Sequence, residues 1–228
     1  YFIQAAAQLK GTTVELMKMG EPGVPEMNAY IEEVLKEGET LGFDGRVVSV
    51  GEGEGYAAIA GKKNAKVNYQ VDLIDEIWED RPVLSEEPAF NLDVKYAGET
   101  VASKLARIRE EMKEAGTNVH VVSTIDDICW TLNIRGNDID FFPLVLSYGI
   151  ITMYSFELYI DEKKLDDKLK AKLEKDGVNL HPYNDIYEDV KKFGSDVVAM
   201  IDPGKLNYAL FNNCLLYTSD AADEARSV

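Results

Sequence analysis

One stretch constrains what this chain can fold into more than any other. Residues 125–147 read IDDICWTLNIRGNDIDFFPLVLS, which joins a short apolar helix, a turn holding two acids and an arginine, and a buried strand. The Arg135-Gly136 pair interrupts two apolar segments, so the reversal there is expected at a surface. Asn133, Arg135 and Asp138 are expected to form a polar turn at a domain edge. A guanidinium can pair bidentately with Asp138 and still present donors outward. Gly136 is expected to supply a left-handed backbone for the reversal. Asp126, Asp127, Asp138 and Asp140 cluster around Arg135 and could in principle hold a divalent ion. The preferred local reading has Asp126 or Asp127 capping a helix and Asp138 pairing with Arg135.

Upstream, residues 1–9 read as a strand end running into a helix, and residues 14–19 as a strand candidate. A Pro- and Gly-rich loop leads to a helix over residues 27–36 that Gly38 ends. Residues 41–43 and 47–50 are expected as short strands joined at Asp44-Gly45. The GEGEG run at residues 51–55 is not a dinucleotide fingerprint, and its two glutamates would repel a phosphate. It is read as a flexible turn before a helix. After a strand candidate at residues 66–69, Ile74 and Trp78 lie at i, i+4 on an apolar helical face. Asp80-Arg81-Pro82 stops that face. Arg81 is a candidate substrate-binding or locally paired arginine.

Residues 83–88 read as a linker. Beyond it, Thr100 is a plausible N-cap. Val101, Leu105, Ile108 and Met112 recur at helical spacing, Lys104, Arg107 and Arg109 take the outer face, and Gly116 ends the helix. A core strand follows at residues 119–123. Residues 145–153 and 156–160 form a hairpin, then come a charged helix at 165–175, a strand at 178–181, a helix at 185–193, a strand at 197–201 and a helix at 205–211. Strands alternate with helices around one hairpin, a pattern that predicts an α/β fold with a mixed sheet.

Composition narrows the function classes. Of 228 residues, 46% are hydrophobic, enough for a real core, and the formal net charge is −17. Such an acidic chain lacks the basic stripes that nucleic acid requires and is repelled by anionic membranes. No apolar run approaches the roughly 20 residues that span a bilayer. Two cysteines and two histidines give neither a disulfide framework nor a histidine-rich metal centre. This usage fits a reducing, cytoplasmic compartment. Cys129 reads as a buried small hydrophobe. The chain opens at Tyr1 without a methionine. Residues 214–228 break the upstream pattern and look like translated adapter sequence, so they are read as a non-native tail.

Three motifs carry a family resemblance. The Trp130 to Pro143 block resembles the L-N-x-R-G-x-D-I-x-x-x-P text of aminopeptidase P, the Xaa-Pro aminopeptidases of the creatinase and prolidase superfamily. The segment Ile77-Trp78-Glu79-Asp80-Arg81-Pro82 resembles the close of that family's first domain. Tyr96-Ala97-Gly98 resembles the start of its second. Thr131, Ile134 and Phe142 depart mildly from the pattern. The resemblance implies two creatinase-N-terminal-like, ribonuclease H-like three-layer domains with mixed sheets. Residues 1–84 would be the C-terminal part of an incomplete first domain and residues 85–213 the second.

In that family catalysis belongs to a later domain, where two aspartates, a histidine and two glutamates hold two divalent ions, usually manganese. The resemblance therefore implies a front fragment with no catalytic or metal residue of its own. The parent's substrates would be peptides with proline at the second position, and the parent a homo-oligomer. Asn133, Arg135 and Asp138 would face the substrate channel or the docking catalytic domain, and Trp78 and Arg81 a neighbouring domain. The alternative is a non-catalytic acidic binding module of the same fold, like the large subunit of a histone chaperone, suited to basic partners.

Overall fold

The chain is described from a computed structural model, which describes residues 1–215. The described residues form two compact units, residues 1–42 with 52–68 and residues 43–51 with 69–215. The segment expected to be a non-native tail lies outside the described residues except for Cys214 and Leu215.

The first unit holds α1 (Phe2–Gln8), α2 (Met27–Val34), β1 (Thr40–Gly42), most of α3 (Val50–Lys62) and β2 (Lys66–Asn68). β1 and β2 pair in parallel, Leu41 opposite Val67. Leu35, Ile59 and Ala60 form its buried centre, with Ile31, Leu41 and Val67 against them. Three local expectations fail here. Residues 14–19 form no strand: Val14 is exposed, and no sheet edge of this unit is paired with it. Residues 47–50 are turn and helix start rather than a strand. The GEGEG run is not a turn but lies inside α3. Each interior glycine costs a helix about 1 kcal/mol relative to alanine. Burying Tyr56, Ile59 and Ala60 on one side of α3 offsets that cost.

In the second unit, residues 71–80, expected as a helical face, are folded only as a turn. The Asp72 carboxylate accepts the N–H groups of Ile74 and Asp75, and Pro82 prevents propagation. The main body contains β3 (Phe90–Asn91), α4 (Val94–Ala97), α5 (Val101–Glu114), β4 (Val119–Val122), α6 (Ile125–Leu132) and β5 (Ile134–Arg135). It continues with β6 (Tyr148–Thr152), β7 (Phe156–Tyr159), α7 (Asp167–Lys175), β8 (Val178–His181), α8 (Ile186–Asp189), β9 (Ala199–Met200) and α9 (Tyr208–Leu215). The hairpin β6–β7 and the N-cap Thr100, which accepts Ser103 N–H, stand as the sequence predicts.

The five-stranded sheet has the order β8-β7-β6-β4-β9. β4, β6 and β7 are antiparallel neighbours, while β8 and β9 add in parallel at the two edges. Side chains alternate along each strand, so one strand feeds two cores. Val122, Ile151, Phe156 and Leu158 join Leu105, Met112, Ile128, Leu132 and Leu173 from α5, α6 and α7. Val119, Val121, Ile150 and Tyr159 join Ile186, Val190 and Leu210 from the other side. Two cores on opposite faces make a three-layer α/β/α unit with a mixed sheet. Each fully buried aliphatic side chain contributes about 1.5–3 kcal/mol before entropy is subtracted.

Candidate functional site

The site candidates converge on the C-terminal end of α6. The helix begins after Thr124, whose hydroxyl bonds the Asp127 carboxylate. Asp126 and Asp127 lie in the first turn, where the helix dipole favours negative charge. Ile128, Cys129, Thr131 and Leu132 are buried, and Trp130 is left partly exposed. Asn133 ends the helix in the left-handed conformation, φ 54°, which asparagine tolerates better than most residues. The chain then enters β5, which pairs antiparallel with β3 so that Arg135 lies opposite Phe90.

Two cations bond carbonyls at and just past this helix end, where the Asn133 N–H already reaches the Cys129 and Trp130 oxygens. Arg135 Nη1 donates to the Cys129 and Ile134 oxygens at 2.7 and 2.8 Å. Lys104 Nζ, from α5, donates to Trp130 O at 2.6 Å and to Asn133 Oδ1 at 2.7 Å. The same ammonium lies 4.3 Å from the Trp130 ring centroid. Asn133 Nδ2 in turn donates to Glu99 O at 2.8 Å. Lys104 is therefore buried, not on the outer face as expected. Burial lowers its pKa, with the positive charges of Arg135 and Arg107 adding to the effect. Its spacing was the missed signal, since Lys104 stands three residues after Val101 on the apolar stripe. At the rim, the Arg107 guanidinium and the Ser103 hydroxyl hold the Glu99 carboxyl down at about 2.

Asn133, Arg135 and Asp138 do not form one polar turn. Asn133 is buried, and Arg135 is half-buried and makes no pair with Asp138. The Asp138 carboxylate instead accepts Lys164 Nζ at 2.6 Å and Leu146 N–H at 2.7 Å. Both side chains of that ion pair are almost wholly buried, at 2% and 1% exposure. Oδ1 of Asp138 has no hydrogen-bond partner among the described residues. Lys164 was invisible to spacing arguments because it sits in a 3-10 turn, residues 162–164, with no periodic pattern. Gly136 is not left-handed. A Cβ there would meet Val145 Cγ2 at 2.7 Å, so the glycine allows a close approach instead.

Arg81 pairs locally, with Asp72 at 2.5 Å and Asp75 at 3.3 Å. It also lies 5.8 Å over the Trp78 ring, and Trp78 and Ile77 are exposed. Among the described residues, no group of three or more His, Cys, Asp or Glu side chains is placed to hold a metal ion. The Asp126, Asp127, Asp138 and Asp140 set does not form one: Asp127 bonds the Thr124 hydroxyl, and Asp138 is held by Lys164 and the Leu146 N–H. Among the described residues no helix is long and apolar enough to cross a membrane.

Comparison with known proteins gives this geometry a context. The model of the creatinase/prolidase N-terminal domain matches residues 80–228. Aminopeptidase P2 of Arabidopsis thaliana is 34% identical over 234 residues, covering 99% of this chain and 33% of its own length. An Xaa-Pro aminopeptidase of Caenorhabditis elegans is 35% identical over 188 residues, covering 82% of this chain and 30% of its own length. The crystal structure of the Caenorhabditis elegans X-prolyl aminopeptidase, described as a cytosolic enzyme with a di-nuclear active site, superposes with a TM-score of 0.85. It is 33% identical and covers 92% of this chain and 35% of the other. The chain thus spans about a third of the length of the relatives it matches.

Proposed function

The chain belongs to the creatinase/prolidase N-terminal domain family, and from that premise we propose that it is the front, non-catalytic region of a metal-dependent Xaa-Pro aminopeptidase. The parent would remove the N-terminal residue ahead of proline in the cytoplasm. This region would shape substrate access and support homo-oligomerisation. The carrying observation is the mismatch of coverage: a relative matches 99% of this chain with only 33% of its own length. Chemistry would belong to the remaining two thirds. Two divalent ions, manganese by expectation, would there activate a water for attack on the bond before proline.

The division into residues 1–84 and 85–213 is kept as a proposal about the parent's domains. Within it, Arg135 is the residue proposed to face the substrate channel or the docking domain. Its Nη1 is occupied by carbonyls, and the other guanidinium nitrogens remain for an outside acceptor. Asn133 and Asp138 serve by holding the segment in place. Trp78 and Arg81 are proposed to face a neighbouring domain.

The test is to extend the reading frame and purify the longer protein beside this chain. Manganese-restored, chelator-sensitive cleavage of an Xaa-Pro peptide by the long form alone is expected. A downstream sequence without the acid-rich ligand set, or cleavage by this chain alone, would overturn the proposal. The net charge of −17 favours one rival, an acidic module for basic partners. That rival requires tight, salt-sensitive histone binding by this chain.

A further inference from the structure

Among the described residues, three that are not glycine adopt positive φ: Asn64, Asn133 and Phe141. Asparagine visits this region readily, and a bulky aromatic residue does not. Phe141, at φ 67°, is also fully exposed at 101%, with Phe142 beside it at 61% and Ile139 at 38%. The fold gains nothing visible from a phenyl ring in strained backbone and open solvent. Other exposed apolar residues, such as Tyr154 and Val83, carry no such strain. Strain of this kind persists where the surroundings impose it, and it concentrates at functional sites.

The surroundings do impose it. Ile139 and Phe142 form an isolated bridge, and Phe142 N–H donates to Ile139 O at 3.1 Å. Leu144 N–H turns back to Phe142 O at 2.8 Å, and Asp138 N–H reaches Leu144 O at 3.2 Å. Below this stem the buried Asp138–Lys164 pair anchors the loop. A rigidly based turn therefore lifts one aromatic ring outward, pre-organised so that an incoming partner need not order it.

We infer that residues 139–142 are a docking ridge whose Phe141 ring inserts into an apolar pocket on the downstream two thirds of the parent polypeptide. The inference rests on the reading of the chain as the front region of a longer enzyme. The occupant follows from coverage: relatives that match this chain with about a third of their own length carry about twice that length outside the match. An apolar ridge of this kind needs a partner that excludes water from it.

The experiment compares this chain with the full-length protein, each as wild type, Phe141→Asn and Phe141→Tyr. In this chain alone, Phe141→Asn is expected to leave the melting temperature unchanged or higher, because asparagine relieves the strain. Amide exchange at residues 139–141, whose N–H groups lack the hydrogen bond that Phe142 N–H makes, is expected to be fast in the chain and protected in the full-length protein. Phe141→Asn abolishes that protection and Phe141→Tyr retains it. A lowered melting temperature of the chain in Phe141→Asn would make the ring structural and overturn the inference. So would protection that survives Phe141→Asn, or a dimer of the chain alone that Phe141→Asn disrupts. The two readings separate cleanly. A full-length protein that is active with the ridge unprotected sinks docking alone. One that is inactive with the ridge protected sinks the peptidase assignment and keeps the ridge.

Discussion

Removing either member of the Asp138–Lys164 pair gives the sharpest stability prediction. Lys164 and Leu146 both donate to one carboxylate oxygen, at 2.6 and 2.7 Å, with the ion pair almost fully buried. Hydrogen bonds to a charged group contribute about 1.5–3 kcal/mol each. Breaking a buried pair by deleting one partner costs about 3–5 kcal/mol, because a charge remains uncompensated. Asp138→Leu and Lys164→Met are each expected to lose that amount. The partnerless Oδ1 already burdens the carboxylate, which places Asp138→Leu toward the lower end. The double variant leaves no buried charge, only the Leu146 N–H without its acceptor, a cost of about 1–3 kcal/mol. It should therefore be more stable than either single variant. Urea unfolding followed by tryptophan fluorescence reads this directly, since Trp78 and Trp130 both belong to the second unit. Additive losses in the double variant, or a loss under about 1 kcal/mol in either single one, would refute the reasoning.

Three further outcomes follow from contacts already described. Gly136→Ala pushes a methyl against Val145 at 2.7 Å and is expected to cost about 1–3 kcal/mol in the same urea assay. Burial alone would raise the Glu157 carboxyl, but hydrogen bonds from Ser155, His181 and Asn179 outweigh it and hold the pKa below its ordinary 4.5. A depressed carboxylate adds stability above its unfolded pKa and loses it as pH falls through the folded value. Acid titration of stability should thus show a loss setting in below about pH 4.5 that Glu157→Gln flattens. Burial likewise raises the Cys129 thiol, so a thiol reagent at pH 8 is expected to label it only after unfolding, which mass spectrometry of the labelled peptide would show.

The layer architecture was legible because periodicity reports burial. The stripe of α5, the apolar run into β6 and the β6–β7 hairpin all follow from which side chains must leave water. Local readings failed where tertiary context overrode a local rule. Glycines at positions 51, 53 and 55 signalled a turn, yet the apolar side of α3 won. Residues 71–80 had a helical stripe, yet the Asp72 turn and Pro82 confined them to a single reversal. At the site, the residues were legible and their partners were not. Asp138 and Arg135 are three apart in sequence, which suggested a pair. The fold instead brings Lys164 to Asp138 and helix carbonyls to Arg135, contacts that only three-dimensional closure decides. Lys104 reads as a surface charge by type and as a core position by spacing, and spacing was the better guide.

The parallel edge strand β9 has a consequence for how the chain is made. His120 in β4 faces Met200 in β9, 80 residues later. At synthesis rates of about 5–20 residues per second, that gap corresponds to roughly 4–16 s. Through that interval the hairpin can already be seated beside β4 while the other rim of β4 has nothing to bond. An open strand rim on a nascent chain invites mispairing with neighbours on the same message. The interval ends only when the two residues of β9 emerge. A stalled or shortened product that stops before Ala199 would keep a sticky rim for good, and ribosomes pausing between α8 and β9 would be expected to recruit chaperones.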